Sequence, residues 1–188
     1  MFRAMSLTAE DKVSVLQRFV DNYPKDLETV RAAVASDGTP EAAQRLLIGG
    51  LNYALDMLDL FPDHHKGIGI ADDAIVLRVA AKLAKASGAT DAGVDALALD
   101  ANNVFALFDD LAAPLERLVA KLPDREVRGR TATKIIGHKD TRVMFDADIG
   151  REAKRITPQP IPAKEGADRV VIELRKMLEA GLKRAGVL

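Results

Sequence analysis

Apolar residues recur mostly every three or four positions along this chain, which is the spacing of one face of an α-helix. They follow this spacing behind Thr8, so we predict a first helix with Thr8 as its N-cap. We expect this helix to end at Tyr23-Pro24 and a second helix to span 26–36, because proline lacks the backbone N–H that a helix interior needs. A third helix should begin after Thr39-Pro40.

The most distinctive stretch is 45–84, where the pattern predicts two apolar helices joined by a short acidic turn. The first of them contains Gly49-Gly50, which should cost about 1 kcal/mol per glycine relative to alanine and makes sense if another backbone packs closely there. In the connection, proline stops the first helix, glycine permits the reversal, and paired carboxylates favour the start of the second helix. The residues predicted to shape this hairpin are Asp59, Pro62, Asp63, Gly67, Gly69, Asp72 and Asp73.

The remainder of the chain continues the helical pattern with one change of character. Segment 124–155 carries nine Lys or Arg against six acids, and two short apolar runs near 134–145 fit either a small β-hairpin or a helix. Prolines at 158, 160 and 162 predict an extended linker, followed by an amphipathic C-terminal helix. We predict a mainly α fold of six or seven helices, with a helical core at 1–123, a basic irregular segment and linker at 124–162, and a C-terminal helix at 163–188.

Composition narrows the class of protein. The 188 residues suit a single domain, and a net charge of −1 gives no general attraction for nucleic acid, so we expect no nucleic-acid partner. The chain has no cysteine, which excludes a disulfide framework and thiolate chemistry. The first residues lack the long apolar core of a signal peptide, and we expect a cytoplasmic protein.

Within 45–84 the order of residues resembles the YkvA-like family, a short helical-hairpin domain of unknown function found in many bacterial proteins. The resemblance is carried by Arg-Leu-Leu at 45–47, by Asp59-Leu60-Phe61-Pro62-Asp63, by Gly67 and Gly69, and by Asp72-Asp73-Ala74-Ile75-Val76. It implies a helical hairpin and, in some members, association with a membrane. Here His64-His65-Lys66 stands where the family is usually apolar, which favours a hairpin that does not insert.

The acidic turn also has the residue types that bind a divalent metal. The candidate ligands are Asp59, Asp63, His64, Asp72 and Asp73, with His65 beside them. The structural interpretation is stronger, because the aspartates can hold turns and helix starts, and adjacent histidines on an extended loop point to opposite sides. We therefore predict no cofactor and no catalytic residue, with a divalent metal in this turn as the alternative.

These observations favour a non-enzymatic helical scaffold or protein-interaction module. Its expected partner is another protein or a second copy of the chain, because the C-terminal apolar stripe must be covered and a symmetric dimer is the simplest closed arrangement. The first alternative is a metal-dependent enzyme that uses the turn at 56–73. The second is a membrane-peripheral protein that inserts Phe61, Ile68 and Ile70 at the interface.

Overall fold

The mainly helical prediction is confirmed by a computed structural model, which describes residues 7–56, 60–61, 68–163 and 166–188. Within those ranges seven helices have ten or more residues, and α6 is a shorter one. The helices are α1 (Ala9–Ala35), α2 (Glu41–Tyr53), α3 (Ala71–Ala86), α4 (Ala92–Phe108), α5 (Ala112–Lys121), α6 (Ala132–Gly137), α7 (Lys139–Arg155) and α8 (Ala167–Arg184).

Helix α3 lies at the centre of the fold. It packs against α1, α2, α4 and α5, and apolar side chains are buried all around it, including Ile75, Val76, Leu77 and Val79. A helix that is apolar on every side must be enclosed on every side. The two helices of the predicted hairpin, α2 and α3, pack against each other in this core.

The predicted start of α1 is confirmed in detail, and α4 begins with a cap of the same kind. Thr8 caps α1 by accepting a hydrogen bond from the Asp11 N–H at 3.1 Å, and the Asp11 carboxylate accepts one from the Thr8 N–H at 3.1 Å. Asp91 caps α4 by accepting from the N–H groups of Gly93 and Val94 at 2.8 and 3.0 Å. Each cap satisfies backbone donors that have no partner inside the helix.

The predicted break at Tyr23-Pro24 is wrong, because α1 runs through Pro24 without ending. A proline inside a helix costs about 3 kcal/mol. However, Tyr23, Leu27 and Val30 on either side of it are buried, and burial of each such side chain contributes about 1.5–3 kcal/mol. The free energy gained by burying these side chains therefore exceeds the cost of placing Pro24 inside the helix.

The small β-hairpin, one of the two forms considered for 134–145, is also wrong, and the irregular character predicted for 124–162 is wrong over 132–155. The segment forms α6 and α7, with His138 between them. Thr131 caps α6 by accepting from the Lys134 N–H at 3.3 Å, and Phe145 and Ile149 are buried at the four-residue spacing of a helix. In the described ranges, β-type backbone pairing is limited to one antiparallel bridge between Val127 and Arg130.

The proline-rich stretch and α8 both lie on the body of the protein. Residues 156–163 have no helix or strand, and Ile161 is buried and donates its N–H to Gln17 Oε1 at 2.7 Å. Helix α8 packs against α1 and α5, which buries Leu174 and Leu178. Because this stripe is covered by its own chain, α8 gives no reason to expect a second subunit on that face.

The close backbone approach predicted at Gly49-Gly50 is confirmed. A Cβ atom added at Gly49 would lie 2.9 Å from the Pro123 nitrogen, and one added at Gly50 would lie 2.7 Å from the Ala80 Cβ. Both distances are shorter than any van der Waals contact allows. The two glycines therefore let α2 approach Leu122–Asp124 on one side and α3 on the other.

We expect Gly49→Ala to lower the free energy of unfolding by up to about 2 kcal/mol. The gain in helix propensity is about 1 kcal/mol, but overpacking against a backbone that cannot rotate away costs about 1–3 kcal/mol. Gly137→Ala is the matched control, since nothing lies within 4 Å of its added Cβ. Urea unfolding at one protein concentration measures both variants, and equal stabilisation of the two would contradict the close approach.

Candidate functional site

Of the residues predicted for the acidic turn, the described part of the chain contains Gly69, Asp72 and Asp73. Asp59, Pro62, Asp63, His64, His65 and Gly67 lie outside the described residues. Gly69 precedes α3 and is partly buried, and Asp72 and Asp73 occupy the first turn of α3. What the structure shows of this turn therefore centres on the two aspartates and the residues around them.

Asp72 does not cap α3, whose N-cap is Ile70 without a side-chain hydrogen bond. Its side chain is 1% exposed, and its Oδ2 accepts hydrogen bonds from the Tyr53 hydroxyl at 2.8 Å, the Leu60 N–H at 2.8 Å and the Phe61 N–H at 3.1 Å. The Tyr53 oxygen also accepts from the Leu60 N–H at 2.9 Å. This cluster of Tyr53, Asp72 and the Leu60–Phe61 backbone, called the Asp72 cluster below, ties the end of α2 to the start of α3.

Two buried tyrosines face this acidic helix start. Burial raises the pKa of Tyr53 well above its usual value, and the charges of Asp72 and Asp73 and the hydrogen bond to Asp72 raise it further. Burial also raises the pKa of Tyr23, with the charges of Asp73 and Asp72 next in size. Both hydroxyls therefore stay protonated at neutral pH, and Tyr53 acts as a fixed donor to Asp72.

A metal site would need several ligands with free lone pairs converging on one point. Within the described ranges, no three His, Asp or Glu side chains converge in this way. The Asp72 Oδ2 atom, one of the predicted ligands, accepts three hydrogen bonds. In the described part of the turn, the carboxylate is used for structure.

A second polar cluster was not predicted and centres on Arg78 of α3. Its side chain is 1% exposed, and its Nη2 lies 2.7 Å from Asp26 Oδ2, while its Nε lies 3.6 Å from Asp100 Oδ2. Its guanidinium also lies 3.9 Å from the centre of the Phe19 ring. The sequence does contain a sign of this cluster. Arg78 is the one polar residue in the apolar run at 74–81, so its side chain has no polar side of the helix on which to lie.

Burial dominates the electrostatics of this second cluster. Desolvation lowers the pKa of Arg78, although Asp26 and Asp100 oppose the change. Desolvation likewise raises the pKa of Asp26 despite the attraction of Arg78. A buried ion pair of this kind fixes which helices meet and adds little net stability. We assign it a structural role, because its charges are enclosed by α1, α3 and α4.

Three arginines near the turn before α6 form ion pairs with acidic side chains of the protein itself. Arg125 pairs with Asp56, and Arg130 Nη2 lies 2.5 Å from Asp148 Oδ2. Arg128 Nη1 lies 3.6 Å from the same oxygen. Burial raises the pKa of Asp148, but the hydrogen bond from Arg130 and the neighbouring arginine charges outweigh it and hold the pKa below its usual value. Arg128 and Arg130 thus anchor the turn before α6 onto α7, and Arg125 connects the same turn to the segment after α2.

The described surface includes two open cavities. One, of about 430 Å³, lies at the C-terminal ends of α5 and α8, and its cations Lys121 and Arg184 stand where positive charge offsets the helix dipoles. The other, of about 330 Å³, lies between α1 and α7 and is called the α1–α7 groove below. Its lining residues are Arg31, Val34, Ala35, Arg142, Val143, Phe145 and Asp146.

The α1–α7 groove has an apolar floor and charged edges. Arg142 donates to the Val34 carbonyl oxygen at 2.6 Å, and Arg31 Nη1 lies 3.6 Å from Asp146 Oδ2. Next to the groove, Val143 and Met144 are 60% and 63% exposed. The other large apolar side chains that are exposed in the described ranges, such as Leu99 on α4, belong to other elements. The groove and the two side chains together make an apolar patch on α7.

The side chains proposed for membrane insertion are mostly not available at the surface. Phe61 and Ile68 are buried in the core, and Ile70 is partly buried. Among the described residues, none of the helices combines the length and the apolar content that a bilayer crossing requires.

Comparison with known proteins gives no match for this chain, whether against protein-family models, curated proteins or solved structures.

Proposed function

We propose that this protein is a non-enzymatic, helical protein-interaction module that binds an amphipathic helix of its partner on the outer surface of α7. The surface is called the α7 face and consists of Asp140, Val143, Met144, Ala147 and Arg151, which are exposed and occupy positions i, i+3, i+4, i+7 and i+11 of the helix. The single observation that carries the proposal is the adjacent exposure of Val143 and Met144 beside the α1–α7 groove. Exposed apolar patches with polar surroundings commonly mark interaction sites.

The chemistry of the partner follows from this surface. An apolar centre bordered by an acid and a base suits a helix that has its own apolar stripe and charges of both signs. Methionine adapts its shape to different apolar surfaces, which suits a helix-binding patch. The partner is therefore expected to be a protein helix.

The use of buried polar groups supports a role in binding over catalysis. Asp72 is committed to holding Tyr53 and the backbone of Leu60 and Phe61, and Arg78 is committed to Asp26. A catalytic group needs to reach a substrate in an open site. Asp72 is one of the five ligands proposed for the metal-dependent alternative, and the hydrogen bonds at its Oδ2 favour the interaction module instead.

The helical hairpin and the compartment belong to the same proposal. The packing of α2 on α3 agrees with the YkvA-like resemblance, which we retain as the proposed family of 45–84. The cytoplasm is the proposed compartment, since a chain without cysteine suits reducing conditions.

Site-specific crosslinking in cells tests the interaction. A photo-crosslinking amino acid in place of Met144 is expected to capture a protein through a peptide with apolar residues at helical spacing, identified by mass spectrometry. The same group in place of Leu99, which is 65% exposed on α4, is the control and should not capture that peptide. Absence of any crosslink from position 144, or the same products from both positions, would contradict the proposal.

A further inference from the structure

Resting on this proposed function, we propose that the helix bound by the α7 face is α7 of a second copy of the chain, antiparallel to the first across a twofold axis. Met144 and Val143 form the apolar centre of this dimer. Asp140 of each chain pairs with Arg151 of the partner subunit. The argument rests on which residues face outward and on the order of charges along the helix.

The α7 face is free because the opposite side of the helix is used by the core. Phe145, Ile149 and Ala153 are buried, and they recur every four residues on the inner side. The outward residues are exposed along the same length of the helix. A partner can therefore cover the apolar centre of the α7 face without disturbing the buried contacts on the inner side of α7.

The α7 face is complementary to a second copy of itself that runs in the opposite direction. It runs from an acid, Asp140, through Val143, Met144 and Ala147 to a base, Arg151. A twofold axis near position 145 places Asp140 opposite Arg151 of the partner subunit. The same axis places Met144 opposite Ala147 of the partner subunit, so that a long side chain meets a small one.

The charges also decide the direction of pairing. Two parallel copies would place Asp140 beside Asp140 and Arg151 beside Arg151 of the partner subunit, and like charges directly opposed are unfavourable. The antiparallel arrangement replaces both repulsions with attractions. It is also isologous, since the same surface is used twice, and such twofold dimers are the commonest assemblies of identical chains.

Helix α8 supplies no competing interface of this kind. Its apolar residues, including Leu174, Leu178 and Leu182, are buried against the rest of the chain. Among the described residues of α8, Ile172 is the large apolar side chain that is exposed. The dimer expected from the sequence is thus reassigned from the C-terminal helix to α7.

The size of the surface sets the expected strength. A helix of 17 residues is about 26 Å long, and one such helix from each chain gives less than the area of about 1,600 Å² of a standard stable interface. We therefore expect a dimer that dissociates reversibly on dilution. Its dissociation constant should lie in the micromolar range, above the nanomolar values of larger complexes.

Sedimentation of the purified full-length chain over a concentration series tests this proposal. The expected result is a monomer–dimer equilibrium that Met144→Glu shifts at least tenfold toward monomer. Leu99→Glu is the matched control, because it also places a charge at an exposed apolar position but lies on α4. Monomer at all concentrations up to about 1 mM, the weak end of specific association, or a dimer insensitive to Met144→Glu, would overturn the proposal.

Charge exchange tests the direction of pairing. Asp140→Lys and Arg151→Glu should each weaken the dimer several-fold, and the variant carrying both changes should recover most of the association. Arg151 also pairs with Asp148 of its own chain, so circular dichroism of each variant is needed to show that the fold is retained. Recovery in the double variant would not occur if the two residues were remote from each other, and its absence in a folded protein rules out the antiparallel arrangement.

The dimer and the broader function can fail separately. A monomeric purified chain that still crosslinks through position 144 to a different protein in cells overturns the dimer and leaves the interaction module standing. A purified dimer disrupted by Met144→Glu, together with a crosslink to the α7 peptide of the same protein, supports both proposals. A monomer without any crosslink from position 144 removes both.

Discussion

Replacing Arg78 with methionine is expected to lower the free energy of unfolding by about 3–5 kcal/mol, the cost typical of breaking a buried ion pair on one side. Arg78 is buried between Asp26 and Asp100, and its removal leaves the Asp26 carboxylate without its 2.7 Å partner in a region of low dielectric. Urea unfolding at one fixed protein concentration measures the change, because dimerisation would otherwise make stability depend on concentration.

Two further variants show whether the loss comes from the uncompensated charge. Asp26→Leu combined with Arg78→Met removes both charges, and we expect it to be more stable than Arg78→Met alone. Arg18→Met is the control, since Arg18 pairs with Asp100 at 3.0 Å from a half-exposed position and should cost less than about 1 kcal/mol. Equal losses for Arg18→Met and Arg78→Met would show that burial of the Arg78 pair has no special effect.

The parts of the fold that depend only on residues close together in the sequence were predictable from it. The N-caps at Thr8 and Asp91 depend on a side chain and the backbone three residues later, so local sequence contains all the information needed. The glycine pair at 49–50 signalled a close approach, because two glycines inside a helix make sense only when a side chain would collide with something. The identity of the approaching segment, Leu122–Asp124, is a long-range property that the glycines do not reveal.

The errors came from local rules that tertiary packing overrides. Pro24 is locally a helix breaker, yet the buried residues on both sides keep α1 continuous. The run at 134–145 fitted two periodicities, and the burial of Phe145 and Ile149 four residues apart selects the helical one. Whether a short apolar run is helix or strand depends on which side chains find a core to enter, and that is decided by distant elements.

In the candidate site, too, local features were predictable and long-range contacts were not. The acidic start of α3 was recognised from Asp72-Asp73, but local rules assign these carboxylates to the N–H groups of their own helix. Asp72 instead bonds with Tyr53, Leu60 and Phe61, which lie 11 to 19 residues earlier. The outward face of α7 could not be identified before the helix itself was known, because its apolar pair lies in the run at 134–145, which fitted a hairpin as well as a helix.

Asp72→Ala is expected to lower the free energy of unfolding by about 3 kcal/mol. The change leaves the Tyr53 hydroxyl and the Phe61 N–H as buried donors without their acceptor, and each such donor costs about 1–3 kcal/mol. The Leu60 N–H keeps one acceptor, the Tyr53 oxygen at 2.9 Å, so it should add less. This loss exceeds the roughly 0.5–2 kcal/mol expected for removing a simple N-cap.

The control and a conservative variant separate the Asp72 cluster from general effects of an acid in a first helical turn. Asp168→Ala removes an exposed first-turn acid from α8 and should change stability by less than about 1 kcal/mol. Asp72→Asn retains one acceptor oxygen but no charge, so its loss should fall between those of Asp168→Ala and Asp72→Ala. Urea and thermal unfolding measure all three variants. If Asp72→Ala were as stable as the unaltered protein, the three hydrogen bonds would not be what joins α2 to α3, and the carboxylate would be free for a ligand.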